Sequence, residues 1–375
     1  MALTGTATQR HIPLVDLAAQ QREVQGAVDA GLARIFAETA FIGGAAVSGF
    51  EQQYAAFLGG GHCVGVGNGT DALELALRAC GIGQGDEVII PANTFIATAE
   101  AIHLAGARAV LVDVDPQYLL IDPAAVAAAV TRRTKAIMPV HLYGQSAFVE
   151  QLEPIARSCG ARIIEDAAQS QGATRHGRSA GTLGDIAGTS FYPGKNLGAA
   201  GDAGAVLTAD ARLADRVRLL AAHGSRVKYE HEVIGRNSRL DAIQAVVLSA
   251  KLERLAAWNA ARRQAAGRYA ALLAGLPGVQ LPVQAPGNQD AWHLYVVRVP
   301  DRDRVLHQLN AAGIGAAIHY PQPVNLTQAF AHLGYREGDF PVAERAAARI
   351  LSLPLYPHIT PEQQQRVADA LSGAL

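Results

Sequence analysis

The sequence predicts an α/β fold: a large domain with a mostly parallel sheet covered by helices, then a smaller C-terminal α+β domain. Two observations point there. From about Cys63 to Thr208, short apolar runs alternate with stretches of helical period, the rhythm of strands buried on both faces and joined by crossover helices. Two of those runs end in groups that do chemistry, Asp166 and Gln169 after one and Lys195 after the other. Ligands of open α/β sheets gather at the carboxyl ends of strands.

Bulk properties limit the possibilities. A chain of 375 residues is too long for one small core. Thirty-two basic against thirty-three acidic residues leave a net charge of −1, so neither nucleic acid nor a membrane surface is suggested as partner. Local phosphate sites depend on placement and stay open. The three cysteines, Cys63, Cys80 and Cys159, lack C-x-x-C spacing and are expected to be reduced and buried. Met1–Arg10 has no signal-peptide core, and no apolar run approaches the roughly 18 residues that span a bilayer. A cytoplasmic protein is expected. The twelve histidines show no metal-like pairing with acids, so no metal site is expected.

Taken in order, Val24, Val28, Leu32 and Ile35 predict an amphipathic helix over about Leu17–Phe36. Phe41-Ile42-Gly43-Gly44 breaks it, and a second helix is expected over Phe50–Leu58, ended by Gly59-Gly60-Gly61. An apolar strand from Cys63 then feeds a glycine-rich turn, with Thr70 or Asp71 expected to cap a helix carrying Leu73 and Leu77. Such a helix start is an anion site or an ordinary strand-to-helix turn. Strands are expected at Glu87–Ile90, Ala109–Val112, Ala136–Val140 and Ala205–Thr208, with helices at Thr98–Leu104, Ala124–Val130, Phe148–Cys159 and Arg212–Ala222. A long helix begins near Leu240, and the domains are expected to divide into residues 1–255 and 256–375. The second domain should hold strands Trp292–Val299 and Ile314–Ile318, and helices Arg302–Ala312, Val342–Leu351 and Pro361–Leu371. Thr360-Pro361-Glu362-Gln363 reads as a capping box.

The chemistry concentrates between Arg162 and Gly198. Arg162-Ile163-Ile164-Glu165-Asp166-Ala167-Ala168-Gln169 delivers an acid and an amide at a strand end. Twenty-nine residues after Asp166, Ser190-Phe191-Tyr192-Pro193-Gly194-Lys195 presents one lysine on a Pro-Gly turn. Taken singly, Asp166 reads as well as a cap and Lys195 as a solvated charge. Together they suit pyridoxal phosphate (PLP), which needs a lysine for a Schiff base and an acid for its ring nitrogen. Phe95, in Pro91-Ala92-Asn93-Thr94-Phe95, is either a core residue or a face for that ring. His141 reads as a supporting histidine. The polar block His223–Gln244 is a solvated loop or a functional one.

Glu165-Asp166-Ala167-Ala168-Gln169 followed by Ser190-Phe191-Tyr192-Pro193-Gly194-Lys195-Asn196-Leu197-Gly198 closely resembles the DegT/StrS group of sugar-nucleotide aminotransferases, which have the type I PLP fold. The resemblance covers nearly the whole chain. It implies that Lys195 carries PLP and Asp166 meets its ring nitrogen. It further implies that Gln169 contacts the phenolic oxygen, Phe95 stacks on the ring, and Gly69, Thr70 and Ser190 bind the phosphate. By the Gly235-x-Asn237-x-Arg239-Leu240-Asp241 match, Asn237 reaches the PLP phosphate of the other subunit of a homodimer and Arg239 lines the shared cleft. His319-Tyr320-Pro321 matches a segment bordering the substrate. The implied reaction passes the amino group of an amino acid, glutamate, to a nucleotide-linked ketosugar. Lys228-Tyr229-x-His231 looks more like the members acting on dTDP-3-keto-6-deoxyhexoses than those acting on 4-keto sugars. A sugar dehydratase of this fold has histidine in place of the Schiff-base lysine, and a non-catalytic regulator would not need Asp166, Gln169, Ser190 and Lys195 together.

Overall fold

The alternation that starts at Cys63 folds into one sheet, described in a computed structural model over residues 11–375. The reading of Met1–Arg10 lies outside the described residues. Two helices precede the sheet, α1 (Leu17–Glu38) and α2 (Gly44–Phe57). Asp16 caps α1 by accepting the Ala19 amide, and Val24, Val28 and Ile35 are buried as their spacing predicts. Helix α2 starts six residues before the expected Phe50. Gly43 and Gly44 take φ of 65° and 76°, so the break is a turn and the following alanines resume a helix at once.

The chain continues with β1 (His62–Val66), α3 (Gly69–Ala79), β2 (Glu87–Pro91), α4 (Ile96–Leu104), β3 (Arg108–Val112), α5 (Pro123–Ala129), β4 (Thr134–Ile137), α6 (Val149–Cys159), β5 (Arg162–Asp166), β6 (Ile186–Ser190), β7 (Gly204–Thr208) and α7 (Ala211–Ala221). The seven strands lie in the order β1-β7-β6-β5-β4-β2-β3. Only β7 runs antiparallel to its neighbours. Alternate residues of one strand serve opposite cores. Val88 and Ile90 join Leu73, Leu75 and Leu77 of α3, while Ile89 joins Val126 of α5 and Leu152 of α6. Burial on both faces is why these strands read as unbroken apolar runs.

Helix α8 (Ala242–Leu272) runs unbroken for 31 residues. Its first half packs Leu248, Leu252 and Leu255 with Phe50 and Phe191. Its second half packs Ala265, Ala266 and Tyr269 with Tyr295, Val297 and Val367. The expected division after residue 255 therefore falls inside a helix, and we propose that the two domains share it. Beyond it come β8 (Tyr295–Arg298), α9 (Arg302–Ala311), α10 (Pro341–Ala347), β9 (Ile350–Leu353) and α11 (Pro361–Ala374).

Three expectations need correction. Asn68, and neither Thr70 nor Asp71, caps α3, its side chain accepting the Asp71 amide. The helix expected over Val342–Leu351 stops at Ala347, and Ile350–Leu353 pairs with β8 as a strand; a short apolar run has no period that separates the two. The strand expected at Ile314–Ile318 reduces to isolated bridges, Ile12 with Ile314 and Ala317 with Ser352. All three cysteines are free, Cys63 buried and the others half-buried. The Thr360 capping box forms as predicted. Among the described residues no helix is long and apolar enough to cross a membrane.

Gly204 opens β7 against the start of α3. A Cβ there would sit 2.4 Å from the Asn68 carbonyl oxygen and 2.9 Å from the Gly69 nitrogen. Both are backbone atoms that cannot swing aside. Gly204→Ala is expected to lower stability by roughly 1–3 kcal/mol through overpacking, measured as a lower urea midpoint at unchanged slope.

Candidate active site

Carboxyl ends of β2, β4, β5 and β6, together with the start of α3, converge on one region. Asp166 ends β5 and is buried. The Thr98 hydroxyl donates to its Oδ2 at 2.7 Å, the Ala168 amide to its Oδ1 at 3.1 Å, and Thr94 pairs with Thr98 at 2.6 Å. Lys195 closes the turn expected for it, its amide donating to the Tyr192 carbonyl at 2.8 Å. The two side chains sense each other electrostatically. Burial pushes the Asp166 carboxyl upward, while the Thr98 and Ala168 bonds and the Lys195 charge pull it back. Burial lowers the Lys195 ammonium to about 8, and the Asp166 charge opposes that shift.

The residue before Asp166 is its brace. Glu165 is fully buried and accepts amides from Gly181 (2.8 Å), Leu183 (2.7 Å) and Gly184 (2.7 Å). His141 lies 2.7 Å from Glu165 through Nε2, and its Nδ1 accepts the Ala147 amide at 3.0 Å. With Nδ1 accepting, Nε2 carries the proton and donates. His141 thus supports the strand end from behind.

Gln169 is fixed at both ends of its amide. Its Oε1 accepts the Tyr143 amide at 2.6 Å, and its Nε2 donates to the Tyr320 hydroxyl at 3.0 Å. The Tyr143 hydroxyl donates to the His319 carbonyl at 2.5 Å. His319 itself bonds Ser352 through Nδ1 at 2.8 Å, and burial with the Lys195 charge lowers its imidazole to about 4. Phe95 is 47% exposed and stands 5.0 Å, centroid to centroid, from the Tyr320 ring. It is no core residue. The start of α3 meets the end of β6 closely, since a Cβ on Gly69 would lie 2.6 Å from Ser190 Cβ. Thr70 follows in the first turn of α3, where amide groups lack intrahelical partners.

Asn237 and Arg239 are not brought into this cluster. They are exposed, while their neighbours turn inward. Arg236 pairs with Asp71 at 2.7 Å and with Glu74, and Ser238 donates to Asp71 at 2.6 Å while accepting the Gly67 amide at 3.0 Å. Alternation along an extended segment holds 236 and 238 against α3 and leaves 237 and 239 facing out.

Several contributors were not read from the sequence. Thr98, Tyr143, Asn196, His293 and Asn259 belong to the site or its support. Asn196 donates to Asn259 and to the Ala291 carbonyl, both at 2.8 Å, and lies 3.2 Å from His293. Only the adjacency of Asn196 to Lys195 offered a signal. The others come from distant stretches.

Residues 25–372 match the model of the DegT/DnrJ/EryC1/StrS aminotransferase family. The chain belongs to that family. It is therefore an aminotransferase, of the fold that the sequence motifs implied. A Streptomyces venezuelae relative, dTDP-3-amino-3,4,6-trideoxy-alpha-D-glucose transaminase, is 45% identical over 98% of this chain and 97% of its own. UDP-N-acetyl-3-dehydro-alpha-D-glucosamine 3-aminotransferase of Acidithiobacillus ferrooxidans is 46% identical, covering 97% of this chain and 98% of its own. A solved structure of S. venezuelae DesV in complex with a ketimine intermediate superposes with a TM-score of 0.95 at 45% identity, covering 97% of this chain and 98% of that one.

The electrostatic pairing predicts a titration. In the chain freed of any cofactor, the Lys195 amine should titrate near about 8, followed as the pH-dependent rate of its reductive methylation by peptide mass spectrometry. Asp166→Asn removes the anion that holds the pKa up, so the midpoint should move lower. An upward move would contradict the arrangement.

Proposed function

We propose that this aminotransferase uses PLP to pass the amino group of glutamate to carbon 3 of a nucleotide-linked ketosugar, a dTDP-3-keto-6-deoxyhexose, and that it works as a cytoplasmic homodimer. The observation carrying this reading is the buried carboxylate of Asp166 within electrostatic reach of a Lys195 amine that burial lowers to about 8. The chain's donor set fits the cofactor. Asp166 is a desolvated acceptor for a protonated ring nitrogen, in a charge-assisted bond about twice as strong as a neutral one. Gly69, Thr70 and Ser190 form a small-residue cradle at a helix start, suited to a phosphate. Gln169 Nε2 donates one N–H to the Tyr320 hydroxyl while Tyr143 occupies Oε1, which leaves a second N–H suited to a phenolic oxygen. Phe95 offers an exposed ring face to stack on the cofactor.

PLP, when bound, supplies the electron sink that makes the donor's α-hydrogen acidic. The chain's residues do the rest. Lys195 Nζ holds the cofactor at rest, and once free and neutral it takes the proton from the donor's α-carbon. Asp166 keeps the ring nitrogen protonated. His319 and Tyr320, tied to Gln169 and Tyr143, border the space for the sugar. Asn237 of the partner subunit completes the phosphate site and Arg239 the shared cleft, in accord with their exposure here. Both relatives compared above are named for an amino or keto group at carbon 3, one on dTDP and one on UDP, which supports carbon 3. Lys195 speaks against a dehydratase, and the intact acid–lysine pair against a regulator without activity.

The purified protein should show an absorbance band near about 400–430 nm that borohydride bleaches while fixing the cofactor to Lys195, and Lys195→Arg should abolish both fixation and turnover. An unchanged rate in Lys195→Arg ends this reading. A panel of dTDP- and UDP-aminosugars with 2-oxoglutarate, run in reverse, selects the base. The subunit arrangement has its own test. Inactive Lys195→Arg and Asn237→Ala chains, unfolded and refolded together, should regain about a quarter of wild-type activity, because mixed dimers then hold one intact site. No recovery would put Asn237 in its own subunit's site.

A further inference from the structure

The chain entering β8 lies against the loop that carries Tyr143. The Ala291 amide donates to the Gly144 carbonyl at 2.9 Å, and the Leu294 amide to the Tyr143 carbonyl at 3.2 Å. Asp290, Trp292 and Arg298 come from alternate positions of this segment and line a cleft of about 460 Å³, mouth included, closed on the other side by Tyr118, Tyr143 and Gln145. Its enclosed part is narrow. Tyr143 also borders a small pocket with Tyr320, so the cleft backs onto the candidate active site without belonging to it.

Asp290 is out of place there. It is only 3% exposed, and its Oδ1 has no hydrogen-bond partner. Arg298, the cation of the same cleft, is engaged elsewhere, donating to the Pro116 carbonyl at 2.6 Å and the Gln117 carbonyl at 2.9 Å. Burial alone pushes the Asp290 carboxyl up to about 7, with no neighbouring charge to hold it down. Buried carboxylates are ordinarily paired or bonded, so an orphan at a cleft wall marks a missing donor. That donor should be small and cationic: the recess is narrow, its orphan group is an acid, and Tyr118, Tyr143 and Trp292 bring aromatic side chains, which attract cations, to its wall. A divalent metal needs several oxygen ligands, and among the described residues no three metal-ligating side chains gather.

We propose that this interdomain cleft is a second ligand site, taking a small primary ammonium compound whose N–H groups donate to Asp290 and whose charge lies against the rings of Tyr118, Tyr143 and Trp292. The site is independent of the transaminase reading. Because the Tyr143 amide holds Gln169 and its hydroxyl holds the His319 carbonyl, the two sites share one residue.

Saturation-transfer NMR of the holoenzyme with ethanolamine, at ionic strength fixed with sodium chloride, tests this. A fragment of four heavy atoms should bind in the millimolar range, about 1–10 mM. Asp290→Asn keeps the side-chain shape and removes the charge, and should weaken the saturable component at least about tenfold. Amine capture at Lys195's cofactor is common to both proteins, so only the component that depends on Asp290 counts. Tyr118→Leu, checked for folding by circular dichroism, should weaken the same component. Tetramethylammonium, which keeps the charge but has no N–H to give Asp290, should displace ethanolamine only at clearly higher concentration. Equal titrations in wild type and Asp290→Asn, or equal displacement by tetramethylammonium or by raised sodium, would overturn the proposal.

Discussion

The structure depends on keeping one carboxylate out of water at the end of a central strand. Asp166 sits where β5 runs out between β4 and β6, its carboxylate accepting from the Thr98 hydroxyl and the Ala168 amide. Desolvating an anion is costly unless a positive group compensates. Lys195 is that group here, and the opposed shifts of the pair reflect one shared cause, burial, and one shared remedy, each other's charge. Glu165 makes the position possible. By gathering three amides of the 181–184 loop and the His141 ring, it anchors the strand end from the far side, so Asp166 cannot relax toward solvent.

Around this pair the frame is set by close backbone approach. The start of α3 meets β6 at Gly69 and Ser190, and β7 meets the same turn at Gly204. Side chains larger than hydrogen would separate the helix start from the strand end, and with it the amides that a phosphate would use. Arg236 and Ser238 then clamp the following segment onto Asp71. The same alternation that turns them inward leaves Asn237 and Arg239 exposed.

Helix α8 runs through two apolar cores as one rod, joining them by packing along its length. Tyr143 is the smaller point of contact. Its amide, carbonyl and hydroxyl meet Gln169, Leu294 and His319 in turn. One residue thereby ties the loop after Asp166, the entry to β8 and the segment at His319, with the Asp290 cleft behind it.

Much of this was legible in one dimension. Strands buried on both faces advertise themselves as apolar runs, so the sheet and the strand-end and turn positions of Asp166, Gln169 and Lys195 were readable from the residues, and the family motif added the roles proposed for them. Local ambiguity defeated other readings: Ile350–Leu353 is apolar enough for helix or strand, and only pairing with β8 chose between them. The cap of α3 went to Asn68 because backbone geometry, and not residue preference, selected among three eligible side chains. Thr98, Tyr143, His293 and Asp290 carry no motif. Their roles arise from contacts across large sequence separations, which no periodicity records, and only the folded chain could decide which of its polar groups would end up dry, paired or waiting for a partner.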